Sequence, residues 1–296
     1  LKANSSSPLQ LRSPDSHSAA TMPFRAPPAP EGAHAPSASP VPLKPAEAVE
    51  SLRCDGFVLL RGLLDPALVE ECARLFQPTL QAEEETIRRR PNRGPMRHYI
   101  PLKLEGPHLR DGGVIGHPLL HAILADVLGA DYVMDQLASD TPLSGSAYQL
   151  VHSDIRRAID FGKPSREDPW MLAVNFPLVD VGDANGPLEL IPGSQRIPER
   201  EAKAQLRSGS LRLVRLHMRR GDVLVRDVRT LHRGSPNVSD KPRPMLVAGF
   251  AREGRQRHDH VAELEPIAVE DVARLTTLQR RILRLHLPLA GKRSRL

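Results

Sequence analysis

The chain has 296 residues, 40% of them hydrophobic, which is enough apolar material for one large core or two small ones. Aromatic residues make up only 3%, with Trp170 the sole tryptophan, and this argues against a platform for stacking unpaired bases. The formal net charge of +6 is local: residues 278–296 hold Arg280, Arg281, Arg284, Lys292, Arg293 and Arg295 with no acid, and a basic end of this kind reads as a solvated face rather than a nucleic-acid site.

Residues 1–47 are expected to be a disordered tail, because ten Pro, eight Ala and eight Ser fall within the first 45 and leave little to bury. Met22 is a candidate initiator, since the chain opens on Leu1. No secretory apolar segment follows, no apolar run approaches ~18 residues, and Cys54 and Cys72 form neither a disulfide framework nor a zinc motif. A cytoplasmic protein without a membrane partner is therefore expected. A single domain over 48–290 follows. Gly56–Leu60 reads as a strand, and Asp65-Pro66 opens a helix whose buried stripe is Val69, Cys72, Ala73 and Phe76, ended by Pro78. Leu120, Ile123, Leu124 and Val127 make a second stripe, closed by Gly129. Short strand-like runs then follow at 131–138, 146–153, 170–179, 187–191, 211–217, 222–227 and 244–251. Turn signals such as Asn185-Gly186 and Pro192-Gly193-Ser194 separate them, which suggests a sandwich or jelly roll. A helix is expected again at 268–286, and residues 291–296 form a basic C-terminal tail. Its last residues, Ser294-Arg295-Leu296, are similar to a peroxisomal address and give that compartment as the alternative if the source is eukaryotic.

His152-Ser153-Asp154 is the only His-x-Asp in the chain. On a strand, residues i and i+2 share a face, so the imidazole and the carboxylate can meet one metal ion. His232 is the best third ligand, since it follows a turn and strand at 221–225 and precedes a Gly/Ser/Pro turn. Two His and one carboxylate on one face of an ion form the facial triad of non-haem Fe(II) oxygenases. If a 2-oxo acid supplies electrons, its far carboxylate needs a cation. Arg243 lies eleven residues after His232, and a hairpin-like return between neighbouring strands 222–231 and 244–251 would bring it to the pocket.

Three segments in this order carry a resemblance. They are Asp55-Gly56-Phe57-Val58-Leu59-Leu60, Asn185-Gly186-Pro187-Leu188-Glu189-Leu190-Ile191-Pro192-Gly193-Ser194, and Gly221-Asp222 with His232, Asn237 and Arg243. Residues 50–252 resemble the phytanoyl-CoA dioxygenase family of Fe(II)/2-oxoglutarate oxygenases. The resemblance implies a mainly β fold with flanking helices around a double-stranded β-helix (jelly-roll, cupin-like) core. It implies His152, Asp154 and His232 as catalytic metal ligands, and Arg243 as the partner of the 2-oxoglutarate C5 carboxylate. Trp170 and Met134 match positions that line the co-substrate pocket, and Arg97 is the upstream basic residue that helps hold it. The cofactors implied are Fe(II), 2-oxoglutarate and O2, with ascorbate as a candidate reductant. The activity implied is hydroxylation of an unidentified small molecule with release of succinate and CO2. Asp154 favours hydroxylation over chlorination, because related halogenases carry a small residue there. The alternative is a catalytically inactive jelly-roll binding protein, and the oligomeric state stays open. Two departures stand out: Gln195 replaces the usual His after Pro-Gly-Ser, and Gly234 stands where some members carry a hydroxyl. His258-Asp259-His260 reads as an exposed loop, and His117 and His121 as a helix end without the Glu of a metalloprotease.

Overall fold

The computed structural model describes residues 44–155, 168–254 and 264–288. The tail before residue 44, Arg156-Arg157, His258-Asp259-His260 and the C-terminal tripeptide lie outside the described residues. Helix α1 (Pro45–Asp55) starts three residues ahead of the expected boundary. Pro45 suits the first helical position, and the Glu47 carboxylate accepts the Lys44 N–H at 3.3 Å. The helix closes on Gly56, whose φ of 83° is left-handed and whose missing Cβ would collide with Thr230 Oγ1 and Gln195 Oε1.

Strand β1 (Phe57–Leu60) leads to α2 (Pro66–Arg89), capped by Asp65 through Ala67 N–H at 2.8 Å. The expectation that Pro78 ends this helix is corrected: the helix runs eleven residues beyond it. An interior proline costs about 3 kcal/mol. Leu80 and Ile87, buried further along the same stripe, each return about 1.5–3 kcal/mol, and Pro78 itself faces solvent. Next come β2 (Arg97–Pro101), α3 (Pro118–Leu128, closed by Gly129 as expected), β3 (Val133–Pro142) and β4 (Met171–Pro177). Then follow β5 (Leu188–Leu190), α4 (Glu199–Ser208), β6 (Val214–Leu216), β7 (Val223–Asp227), β8 (His232–Gly234) and β9 (Met245–Ala251). The expected helix at 268–286 is split into α5 (Val269–Val272) and α6 (Thr277–Ile282), because Thr276 accepts the Gln279 N–H and caps a fresh start.

Among the described residues all strand pairs are antiparallel. A six-stranded sheet has the order β1-β7-β4-β9-β3-β2, and a three-stranded sheet the order β6-β5-β8. The expected mainly β core with flanking helices is therefore present, and its antiparallel two-sheet arrangement fits a jelly roll. One route differs from expectation: β7 and β9 are not neighbours, because β4 lies between them, and the chain visits the small sheet as β8 before returning. The run 146–153 forms no strand and contributes only an isolated bridge at His152.

The large sheet is covered on both faces, and side-chain alternation sorts its residues. Val58, Val223, Val225, Leu172, Val174, Phe176, Leu246, Ala248 and Phe250 join the core beneath α1, α2 and α3. The opposite face carries Leu224 and Arg226 on β7, Asn175 on β4, Met245 and Val247 on β9, and Gln136 and Asp140 on β3. One apolar cluster between the sheets contains Leu190, Leu216, Leu224 and Met245, and a second on the same face of the large sheet contains Met171, Ala173, Val228 and Val247. The polar residues of this face lie among these clusters and line one cavity. Among the described residues no helix is long and apolar enough to cross a membrane.

Candidate metal centre

Two backbone hydrogen bonds bring the histidines together. His152 N–H donates to His232 C=O at 3.0 Å, and His232 N–H donates to His152 C=O at 2.8 Å. Directly opposed residues of an antiparallel pair project to the same face. The two rings accordingly lie 4.5 Å apart, centre to centre. Each ring is fixed by its own chain: His152 Nδ1–H donates to Leu150 C=O at 2.7 Å, and His232 Nδ1–H donates to Thr230 C=O at 2.9 Å. That tautomer leaves both Nε2 lone pairs for a metal. Burial, reinforced by His232, pushes the His152 imidazole down to about 4, so it stays neutral and able to coordinate.

Asp154 follows His152 by two residues, and its N–H donates to Val228 C=O at 3.0 Å, just past β7. Its Oδ1 lies 3.5 Å from His232 Nε2, and its Oδ2 lies 2.6 Å from Arg226 Nη1. Burial alone would raise this carboxyl, but Arg226, then His232 and His152, hold it well below the ordinary carboxylate range. One donor atom from each of His152, Asp154 and His232 falls within 4.8 Å of the others, the only such set of His, Cys, Asp or Glu among the described residues. Two imidazole nitrogens and one carboxylate oxygen, without a thiolate, suit a first-row divalent ion with open positions.

The triad lines a cavity of about 180 Å³ together with Arg243, Arg226, Asn175, Asp140, Tyr99 and Gln149. Arg243 is 1% exposed, and its N–H donates to Pro142 C=O at 3.0 Å. The end of β3 therefore sets its position, rather than the expected hairpin with β7. Burial lowers its guanidinium to about 10, with Asp140 opposing and Arg97 adding to the shift, so it remains a cation at neutral pH. Its nearest acid is Asp140, at 3.6 Å. Arg97 is also 1% exposed, but it does not line the cavity. It ion-pairs with Asp140 Oδ2 at 3.0 Å and donates to Ser235 C=O at 2.8 Å, so it touches the cavity only through Asp140.

Trp170 and Met134 are not brought to the cavity lining. Trp170 packs, partly buried, against the apolar cluster that contains Met171, Ala173 and Val247. Met134 is fully buried in the helix-side core, because a β-bulge between Met134 and Gln136 breaks the two-residue alternation and turns Gln136 inward instead. Gln195 donates to the Arg53 and Cys54 carbonyls at 3.2 and 3.3 Å and so ties down the end of α1. Ser235 donates its hydroxyl to Pro187 C=O at 2.7 Å, and His121 is buried against Tyr132 and the Ile115 carbonyl. Sequence reasoning missed Arg226 and Asp140. Arg226 carried a readable signal, a charge directly after the apolar run Val223-Leu224-Val225 and six residues before His232.

Comparison with known proteins shows the family and the fold. The ectoine dioxygenase of Bordetella parapertussis is 28% identical over 228 residues, covering 67% of this chain and 72% of its own length. The epimerase SnoN, solved with Fe3+, alpha ketoglutarate and nogalamycin RO, superposes with a TM-score of 0.56 at 20% identity, over 76% of this chain and 96% of SnoN. EctD from S. alaskensis, solved with bound Fe, gives a TM-score of 0.51 at 16% identity, over 73% and 78%. At those identities the two structures support the fold. The family model for phytanoyl-CoA dioxygenase (PhyH) matches residues 52–245, a span that holds the triad and Arg243, and the chain belongs to that family.

Proposed function

We propose that His152 Nε2, Asp154 Oδ1 and His232 Nε2 hold the Fe(II) of this 2-oxoglutarate-dependent dioxygenase, and that Arg243 receives the far carboxylate of 2-oxoglutarate. The observation that carries the reading is the convergence of three suitable donor atoms within 4.8 Å, on the wall of a cavity that also holds a buried arginine. When bound, Fe(II) with 2-oxoglutarate and O2 supplies an oxidant that converts a substrate C–H to C–OH, while 2-oxoglutarate leaves as succinate and CO2. The chain's own residues prepare that chemistry. The Leu150 and Thr230 carbonyls keep both imidazoles in the coordinating tautomer. Arg226 keeps Asp154 ionised. Arg243 offers two parallel N–H donors to a carboxylate, a grip that a lysine does not reproduce. Val228, Met245, Val247 and Leu188 give the cavity apolar walls that limit water. Ascorbate is the proposed auxiliary reductant. A cytoplasmic enzyme acting on a small molecule, with no nucleic-acid or membrane partner, is the setting this reading implies.

The test is succinate release from 2-oxoglutarate with added Fe(II), measured over a panel of small metabolites. The wild-type protein is expected to release succinate, and Asp154→Ala to release none while its circular dichroism is unchanged. Equal turnover by the variant overturns the ligand assignment. Binding of 2-oxoglutarate without succinate from any wild-type mixture returns the inactive binding-protein reading.

A further inference from the structure

Arg226 is a buried cation near the end of β7, directly after the core residues Val223, Leu224 and Val225 and before Asp227, whose carboxylate is paired with Arg229. It is 6% exposed, and its Nε donates to Asn175 Oδ1 on the adjacent strand β4 at 3.3 Å. That contact aims the guanidinium across the cavity, where Nη1 meets Asp154 Oδ2 at 2.6 Å. Asp154 has no strand of its own; its N–H to Val228 C=O anchors only the main chain. The two carboxylate oxygens therefore have different surroundings. Oδ1 faces His232 Nε2 at 3.5 Å, and Oδ2 is taken up by the guanidinium.

We propose that Arg226 is a positioning residue that holds Asp154 Oδ2 away from the metal, so that Asp154 ligates through Oδ1 alone and leaves room for 2-oxoglutarate. This rests on the ligand assignment above. A carboxylate free to bind through both oxygens would occupy one more coordination position, the kind of position that a chelating co-substrate needs. Arg226 also places a positive charge beside the site that receives a dianion. Removing it acts on 2-oxoglutarate in the same direction through both effects. Asn175 serves the same end one step further out, by fixing the direction in which the guanidinium points.

The test uses Co(II) in place of iron, read by its visible absorption bands and by calorimetry with 2-oxoglutarate. Arg226→Met is expected to change the Co(II) bands before any 2-oxoglutarate is added, and to weaken 2-oxoglutarate binding by about 10- to 100-fold. Arg226→Lys, which keeps the charge and one donor, is expected to recover most of both. Asn175→Leu, which leaves the guanidinium in place but unaimed, shifts the same bands by less and covers the case in which the methionine variant does not fold. Wild-type bands in Arg226→Met, or a change that appears only with 2-oxoglutarate present, overturns the proposal. Asp154→Ala separates the two levels: loss of the bands there with none in Arg226→Met leaves the metal site standing and removes only the role of Arg226. Absence of Co(II) bands in the wild-type protein overturns the ligand assignment, and the role of Arg226 with it.

Discussion

Replacing Arg243 by alanine removes a guanidinium that is almost wholly withdrawn from water, so solvent does not take over its role toward an incoming carboxylate. Truncating one partner of a buried, hydrogen-bonded charge pair costs about 2–5 kcal/mol. The structure puts this case near the middle of that range. Asp140, the acid beside Arg243, keeps its 3.0 Å pair with Arg97 when Arg243 is gone, so no second charge is stranded and the upper end does not apply. The site is too buried for the lower end, which suits solvent-screened pairs. A loss of about 3 kcal/mol corresponds to a rise of about 150-fold in the 2-oxoglutarate dissociation constant, at 1.4 kcal/mol per tenfold. The assay is calorimetric titration of 2-oxoglutarate into the Co(II)-loaded protein, backed by the KM for 2-oxoglutarate in succinate release. Arg243→Lys is expected to fall between wild type and alanine, because it keeps the charge but loses the two-pronged grip. A dissociation constant within about threefold of wild type in Arg243→Ala would refute the assignment and send the search for the co-substrate cation elsewhere in the cavity.

Two further predictions concern what supports the site. Gly234→Ala places a methyl group against the buried Arg97 guanidinium, about 2.5 Å from Nη1, where the pairs to Asp140 and Ser235 C=O keep it from moving aside. Overpacking of this kind costs about 1–3 kcal/mol, and at about 2–4 °C per kcal/mol the melting temperature should drop by roughly 2–12 °C; an unchanged melt would mean that Arg97 is not held as described. Burial depresses the titration of both His108 and His121 in the folded state, so below the ordinary value of about 6.5 the unfolded chain binds more protons than the native one. Their stabilising contribution is complete above that pH and is lost as the pH falls below it. Melting temperature should decline from pH 7.5 towards 5, and His121→Asn should flatten the decline; a flat or rising profile for the wild-type protein contradicts the sign.

Much of the frame was legible because local rules and tertiary packing agree there. Asp65-Pro66 starts α2 where a cap and a fixed φ agree, Gly129 closes α3, and the apolar runs at 170–179, 222–227 and 244–251 contain the strands β4, β7 and β9. The misreadings lie where packing overrides a local signal. Pro78 sits inside α2 because the buried stripe continues past it, and a bulge reverses the face on which Met134 stands. The His-x-Asp pair was visible as a pattern, but the device that joins His152 to His232 is a single backbone bridge between distant segments, which no local periodicity encodes. Asp140 was hidden for a related reason: its role depends on Arg97 and Arg243, far away in the chain and brought to it only by the pairing of β2 with β3 and by the Arg243–Pro142 backbone bond. Arg226 is different, since a charge directly after the apolar run Val223-Leu224-Val225 is visible in the sequence itself, although the neighbouring Asp227 gave it a ready local partner.

The central claim is that three side chains from separate stretches of sequence form one metal centre. The most direct measurement is the stoichiometry and affinity of Co(II) binding to the wild-type protein and to His152→Ala, Asp154→Ala and His232→Ala. One tightly bound ion per chain is expected for the wild type, with that binding lost in each of the three variants. A variant that keeps one ion at wild-type affinity would contradict the claim, because the residue it lacks would then have no part in holding the metal.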